Sequence, residues 1–179
     1  MAVAARVFDR AERLHIRSDP WDVAGPRAQF RYQEANRIIR ENMPQILGGT
    51  IIEIGCAEGH QTEWLCRLGN VTCIEPSRRA RERANRRVPS ATFVDARLPS
   101  IPVKGNLVCA FELLNYFFSP ELEKAIAAMG DAAPHRIVSY HHGKTGTTTR
   151  RLDATILALP GVVSEKVTYG KHAWTIAWW

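Results

Sequence analysis

Apolar residues follow two rhythms along this chain, and the rhythms alternate. Short apolar runs stand near residues 51–54, 71–75, 91–94, 106–111 and 135–140, each of strand length and rich in Ile, Val and Phe. Between them, apolar positions recur at three- and four-residue spacing. Residues 61–68 stop at Gly69, and residues 77–88 stop at Pro89 with Ala80, Ala84 and Val88 on one narrow stripe. Leu122, Ala125, Ile126 and Met129 form one face of a helix with Ser119 as its N-cap, Pro120 in its first turn and Gly130 as its stop. A further helix is predicted over 147–159, before Pro160 and Gly161. Alternating strands and helices predict an α/β protein, a parallel sheet with helices on both faces.

Both ends depart from this alternation. Residues 162–169 and 172–179 read as two strands joined by Gly170-Lys171, and glycine first in a two-residue loop suits a type II′ hairpin. Trp174, Ile176 and Trp178 share one face of the last strand, as core residues do. Ahead of the first strand, 3–15 and 26–43 have helical periodicity. The connector Ser18-Asp19-Pro20-Trp21-Asp22-Val23-Ala24-Gly25-Pro26 is too rich in Pro and Gly to continue a helix. The expected organisation is a helical cap over residues 1–44 on one compact domain, 45–179, with no internal repeat.

The chemistry concentrates at strand ends. Ile51-Ile52-Glu53-Ile54 runs into Gly55-Cys56-Ala57-Glu58-Gly59, so a strand ending in an acid breaks into a glycine-flanked turn. Gly55 has no Cβ to hold a ligand off the backbone, and Gly59 lets the chain turn into the helix that starts near His60. The free N–H groups of that helix suit a carboxylate or phosphate. Glu75 ends the next strand, about twenty residues on, where doubly wound folds hold a ribose diol. A nucleoside-bearing cofactor follows. Spacing G-x-x-x-G is not the dinucleotide pattern G-x-G-x-x-G, and the phosphate-loop lysine is missing, which argues against a nucleotide triphosphate.

The segment from Glu53 to Gly59 followed by Glu75 resembles motif I of class I S-adenosylmethionine-dependent methyltransferases. Phe93-Val94-Asp95-Ala96 and Leu107-Val108-Cys109-Ala110-Phe111-Glu112-Leu113-Leu114 extend the resemblance over about residues 45–130. It implies a three-layer Rossmann-like sandwich with strand order 3-2-1-4-5-7-6 and a C-terminal antiparallel hairpin. It also implies S-adenosyl-L-methionine as cofactor and S-adenosyl-L-homocysteine as product. Asp19-Pro20-Trp21, Arg31, the Gly55-Cys56-Ala57 turn and Phe111-Glu112-Leu113-Leu114-Asn115-Tyr116 are similar to the small nodulation-type (NodS-like) N-methyltransferases. The cofactor site so implied comprises Trp21, Arg31, Glu53, Gly55, Cys56, Ala57, Gly59, Glu75, Pro76, Asp95, Ala96, Phe111 and Glu112. In it Asp95 would meet the adenine amino group and Arg31 the methionine carboxylate. Arg97 and Pro99 after the third strand, and a short C-terminal region, depart from the NodS-like pattern. Its deacetylated chitooligosaccharide substrate therefore does not transfer directly.

Methyl transfer from a sulfonium needs alignment more than a catalytic set, so the lack of a triad excludes little. An amine acceptor must lose a proton, and Glu112, His141 and His142 are the candidates to take it. Each has a plainer alternative. Glu112 could anchor a neighbouring loop, the histidines could be ordinary loop residues, Arg31 could sit in a surface ion pair, and Trp21 could pin the cap.

Composition narrows this picture. The chain has 179 residues, 23% charged and 45% hydrophobic, as globular domains do, and lacks an apolar run of membrane length. The four cysteines form no CxxC pair and read as buried free thiols; six histidines show no metal spacing, so no metal is expected. The N-terminus lacks the apolar stretch of a signal peptide, and a cytoplasmic location is the expectation. The net charge of +6 owes much to Arg78, Arg79, Arg81, Arg83, Arg86 and Arg87, read as a solvated helix face; aromatic residues do not interleave with them, which argues against a nucleic-acid partner. The expected acceptor is a small molecule or oligosaccharide, N-methylated by a monomer or homodimer. An RNA methyltransferase and a non-catalytic S-adenosylmethionine-binding subunit remain the alternatives.

Overall fold

A computed structural model describes residues 12–143 and 146–179. Of the helix expected over 3–15, residues 12–15 fall within the described residues; 12–14 are helical and His15 already lies in a turn. Helix α1 (Pro26–Asn42) leads to strand β1 (Thr50–Ile54), followed by α2 (His60–Leu65), β2 (Asn70–Ile74), α3 (Arg78–Arg87), β3 (Thr92–Val94) and β4 (Leu107–Phe111). Then come α4 (Glu121–Ala132), β5 (His135–His141), α5 (Thr147–Ile156), β6 (Val163–Tyr169) and β7 (His172–Trp178). The seven strands form one sheet in the order β3-β2-β1-β4-β5-β7-β6. β1 to β5 run parallel, and β7 is antiparallel to both its neighbours. This is the Rossmann-like order with a C-terminal antiparallel hairpin that the sequence led us to expect.

Burial on both faces explains why the central strands are almost continuously apolar. On one face Ile38 and Ile39 of α1, Leu65 of α2 and Ala84 of α3 pack on Ile51, Cys109, Ile137 and Trp174. On the other, Leu122 and Met129 of α4 and Leu152 and Ile156 of α5 cover Ile52, Val108 and Val138. Trp174, Ile176 and Trp178 all lie in the first core, as their shared face predicts. At the hairpin, Gly170 has φ 57° and Lys171 does not share the left-handed region, which is the type II′ pattern.

Helix ends are where sequence and structure part. Ser119 does not cap a backbone amide of α4; its hydroxyl donates to Glu123 at 2.9 Å, and Pro120 occupies the N-cap position. Gly130 does not end α4, which continues to Ala132. A Cβ there would stand 3.3 Å from the Arg136 guanidinium, so the glycine makes room for that side chain. Helices α2 and α5 also end three residues earlier than their periodicity suggests, at Leu65 and Ile156. Helix α3 follows its pattern closely, with Ser77 accepting the Ala80 amide at 3.2 Å and Ala80 and Ala84 fully buried. No helix among the described residues is long and apolar enough to cross a membrane.

Register brings the relevant termini to one edge. Ile54 lies beside Ile74, and Phe111 beside Ser139, so the parallel strands finish together. Because β7 runs the other way, its first residue, His172, and the last residue of β6, Tyr169, reach that same carboxyl edge. Ligands of open α/β sheets bind there.

Candidate functional site

The turn after β1 is shaped by three left-handed residues, Gly55 at φ 74°, Ala57 at φ 48° and Gly59 at φ 81°. At Gly59 a Cβ would lie 3.2 Å from the backbone of Ala84, so glycine lets α2 start against α3. Non-glycine Ala57 holds its strained conformation because its amide is anchored, donating to Glu75 at 3.1 Å. The other Glu75 oxygen accepts the Ser77 amide at 2.9 Å. Burial raises the Glu75 pKa, and these two amide bonds act against that rise.

Glu53 lies lower, only 2% exposed, where the Thr62 hydroxyl donates to it at 2.5 Å and the Cys73 thiol stands at 3.6 Å. Burial lifts its pKa to about 7 against those bonds. Around it, Cys56 and Cys109 are fully enclosed. Contact with Cys73 and burial push the Cys56 thiol up, and burial does the same for Cys109, so both stay protonated and inert. All four cysteines are free thiols.

Arg31 comes from α1 and is 6% exposed. Its guanidinium donates to Gln61 at 3.5 Å and to the Ser139 hydroxyl at 3.4 Å, and it lies over the rings of Tyr32 and Phe111 at 4.8 and 5.8 Å. The Ser139 hydroxyl in turn donates to Glu112 at 3.1 Å. Among the described residues no carboxylate lies within ion-pair distance of Arg31. The Gln61 amide nitrogen beside it is buried without a partner. A buried guanidinium without an ion pair and an orphaned donor next to it make a fitting seat for a carboxylate. The alternative of a surface ion pair for Arg31 is not found among the described residues, where its side chain is buried.

Glu112 follows β4 at φ 56°, half-buried, its amide bonded to the Ser139 carbonyl at 2.9 Å. Burial raises its pKa, opposed by Arg31, the Ser139 hydroxyl and the His141 amide. The two histidines separate. His141 shares the face of Ser139, and its Nε2 lies 3.3 Å from Nδ1 of His172, with the Trp174 ring 5.4 Å away. His142 turns to the opposite face and pairs with Thr175 at 2.8 Å, so it is not brought together with Arg31 and Glu112.

Trp21 packs edge-to-face on His15 at 5.1 Å and remains partly exposed. Asp95 is exposed and bound to Arg81 at 2.7 Å; Arg81 also donates to the Glu75 carbonyl at 2.6 Å. Pro76 and Ala96, each next to one of these acids, are half-buried. The arginine-rich face of α3 is therefore not simply solvated. Arg81, Arg83 and Arg87 turn inward, Arg83 to Glu58 at 2.7 Å and Arg87 to the Glu58 carbonyl at 3.1 Å. Six-residue α2 is too short for its amino end to dominate an anion site.

Sequence reasoning missed Glu58, Gln61, Arg81, Ser139 and His172. Glu58 left a signal, an acid between the two loop glycines; His172 left none short of the hairpin register. A surface groove of about 310 Å³ between α1 and α2, lined by Asn36, Arg37, Trp64 and Arg67, shares no residue with this set.

Residues 51–133 match the methyltransferase domain family. Residues 51–133 thus carry a methyltransferase domain, and the strand order and glycine loop around it are those of class I S-adenosylmethionine-dependent methyltransferases. The structure of the chain is similar to N-methyltransferase NodS from Bradyrhizobium japonicum WM9 in complex with S-adenosyl-L-homocysteine, with TM-score 0.73, 21% identity and 96% of each chain covered. It is also similar to magnesium protoporphyrin IX methyltransferase from Synechocystis PCC 6803 with bound S-adenosyl-L-homocysteine, with TM-score 0.69, 14% identity, 97% of this chain and 93% of that one. An amino pentose methyltransferase from Micromonospora echinaspora gives TM-score 0.62 at 16% identity, over 83% of this chain and 89% of that one. No curated protein matches the sequence significantly.

Proposed function

We propose that the protein N-methylates a small-molecule or sugar-type amine, with residues 1–44 forming a cap over the cofactor site. The observation that carries this reading is the clustering of Glu112, Ser139 and His141 beside the unpaired Arg31 at the carboxyl edge. A carboxylate and a neutral imidazole there can take a proton from an amine. The designations of NodS as an N-methyltransferase and of the Micromonospora enzyme as an amino pentose methyltransferase support the choice of nitrogen.

S-adenosylmethionine, when bound, supplies a methyl group already activated on a sulfonium. Arg31 and Gln61 would hold its carboxylate end, Glu75 its ribose hydroxyls and Asp95 its adenine edge, while the loop from Gly55 to Gly59 would provide backbone contact. Phe111 and Glu112 line the wall facing the acceptor, and Trp21 closes the cap side. Alignment of this kind supplies roughly 7–11 kcal/mol of the barrier. Burial and the neighbouring charges of His172, Arg27 and His142 lower the pKa of His141, which keeps it neutral and able to accept a proton.

The test is transfer of labelled methyl from S-adenosylmethionine to glucosamine and its β-1,4-linked oligomers, compared with their N-acetylated forms. Labelling of the free amines alone is expected. Equal labelling of the acetylated forms would overturn the choice of nitrogen.

A further inference from the structure

His141 is the last residue of β5 and faces the same side of the sheet as Ser139, whose hydroxyl joins Arg31 to Glu112. Its backbone amide is among the groups that hold the Glu112 pKa down. Across the ladder His141 lies opposite Trp174, and His172 stands two residues before Trp174 on the same face. The outcome is a contact between the ends of two antiparallel strands, His141 Nε2 to His172 Nδ1 at 3.3 Å, with ring centroids 5.5 Å apart. The buried Trp174 ring backs both imidazoles, at 5.4 and 6.2 Å. Phe30 of α1 and Tyr169 of β6, 5.3 Å apart, come from the elements that flank this edge.

We propose that His172 positions His141 as the proton acceptor of the reaction, the hairpin histidine holding its partner in one tautomer. This rests on the amine-acceptor reading above and gives His172 a role in it, as the residue that orients His141. Two neutral imidazoles can make this bond only if one nitrogen carries a hydrogen and the other does not, so their tautomers are correlated. With Nε2–H of His141 donated to Nδ1 of His172, the Nδ1 lone pair of His141 is left for the acceptor. In the transfer, the amine lone pair forms the nitrogen–methyl bond as the methyl–sulfur bond breaks onto sulfur. The proton on that nitrogen passes to His141 Nδ1. The imidazolium so formed keeps its bond to neutral His172. The groups acting on His141 are His172 from β7, Arg27 from α1 and, from the opposite face, its chain neighbour His142, with Glu112 at the end of β4 beside its amide; Tyr169 of β6 is across the ladder from His172. A second proton would put two positive charges on rings 3.3 Å apart beside the Arg27 guanidinium.

Heteronuclear NMR of the histidine ring nitrogens, on the full chain saturated with S-adenosylhomocysteine, tests the pairing. His141 is expected as a single Nε2–H tautomer, with the two rings titrating in two coupled steps. His172→Ala should give His141 mixed tautomers and one simple step, and His172→Gln, whose carbonyl still accepts, should restore the single tautomer. Independent titration in the wild type, or an unchanged His141 tautomer in His172→Ala, overturns the proposal. For whichever glucosamine oligomer is methylated, His172→Ala should lower kcat about tenfold or more with little change in KM and displace the acid limb of the pH profile, and His172→Gln should recover most of it. An unaltered kcat and profile alongside collapsed tautomers also overturns it. If no amine is methylated at all, the amine reading falls while the NMR signature still decides the pairing.

Discussion

The carboxylate of Glu58 accepts the backbone N–H of Asp19 at 2.9 Å, which ties the glycine loop to the segment ahead of α1. The same oxygen receives Arg83 at 2.7 Å, and Arg83 also donates to the Arg17 carbonyl at 3.1 Å. Glu58 is thus a joint between three parts: the loop after β1, the N-terminal segment and α3. Asp19 stiffens that segment from its own side, its carboxylate accepting the amides of Val23 and Ala24. The Tyr32 hydroxyl adds a bond to the Val23 carbonyl at 2.9 Å.

If the cap closes over the cofactor, this joint is what couples the two. Glu58→Gln or Arg83→Ala should loosen the cap, each losing a charge-assisted bond of about 1.5–3 kcal/mol. Trypsin should then cut after Arg17 faster than in the wild type. S-adenosylhomocysteine should slow that cleavage in the wild type and much less in either variant. Identical cleavage with and without ligand would make the cap a fixed part of the fold.

Arg31 is expected to recognise only the amino-acid end of the cofactor. Arg31→Ala should weaken S-adenosylhomocysteine binding roughly 10- to 100-fold, the loss of one charged hydrogen-bonding partner. Methylthioadenosine, which lacks the carboxylate, should bind both proteins alike in calorimetry. Equal losses for the two ligands would place Arg31 in the scaffold instead.

Glu75 anchors the loop through the amides of Ala57 and Ser77, besides its proposed hold on the ribose. Because Ala57 and Ser77 both donate to it, Glu75→Ala leaves two backbone amides without acceptors and should cost about 1–3 kcal/mol of stability for each. Urea denaturation should show that loss, and calorimetry a parallel fall in S-adenosylhomocysteine affinity. A variant as stable as the wild type would show that water replaces the carboxylate.

Glu53 makes stability depend on pH in a defined direction. Its pKa is about 7 in the folded protein against an ordinary value of 4.5, so the folded state holds the proton more tightly. That contribution is fully present below about 4.5 and is lost as pH rises through about 7. Glu53→Gln, which keeps an acceptor for Thr62, should flatten the profile and gain on the order of 3 kcal/mol relative to wild type by about pH 8. Denaturant unfolding of both proteins across this range is the check; parallel profiles would contradict it.

Strand and helix placement was legible because side-chain periodicity is a local property. The runs at β1, β2, β4 and β5 had strand length and composition, and the acids Glu53, Glu75 and Asp95 fell at or beside strand ends where a site would need them. The Gly55–Gly59 spacing alone separated this loop from a dinucleotide loop. Gly130 misled for an equally physical reason. Glycine is a good helix stop, but here its missing Cβ is used by Arg136, a residue on the following strand, and no local pattern announces that.

The sequence by itself determined the elements, the glycine turn and the class of ligand, since each follows from neighbours a few residues apart. Tertiary structure alone decided which polar groups meet. Arg31 reaches Ser139 across 108 positions of chain, Arg83 reaches back 25 to Glu58, and His141 finds His172 31 residues on. His141 and His142 are adjacent and chemically identical, yet β5 ends with only one of them on the Arg31 side. Strand alternation sends neighbouring side chains to opposite faces, and only the register against β4 and β7 says which face holds the site.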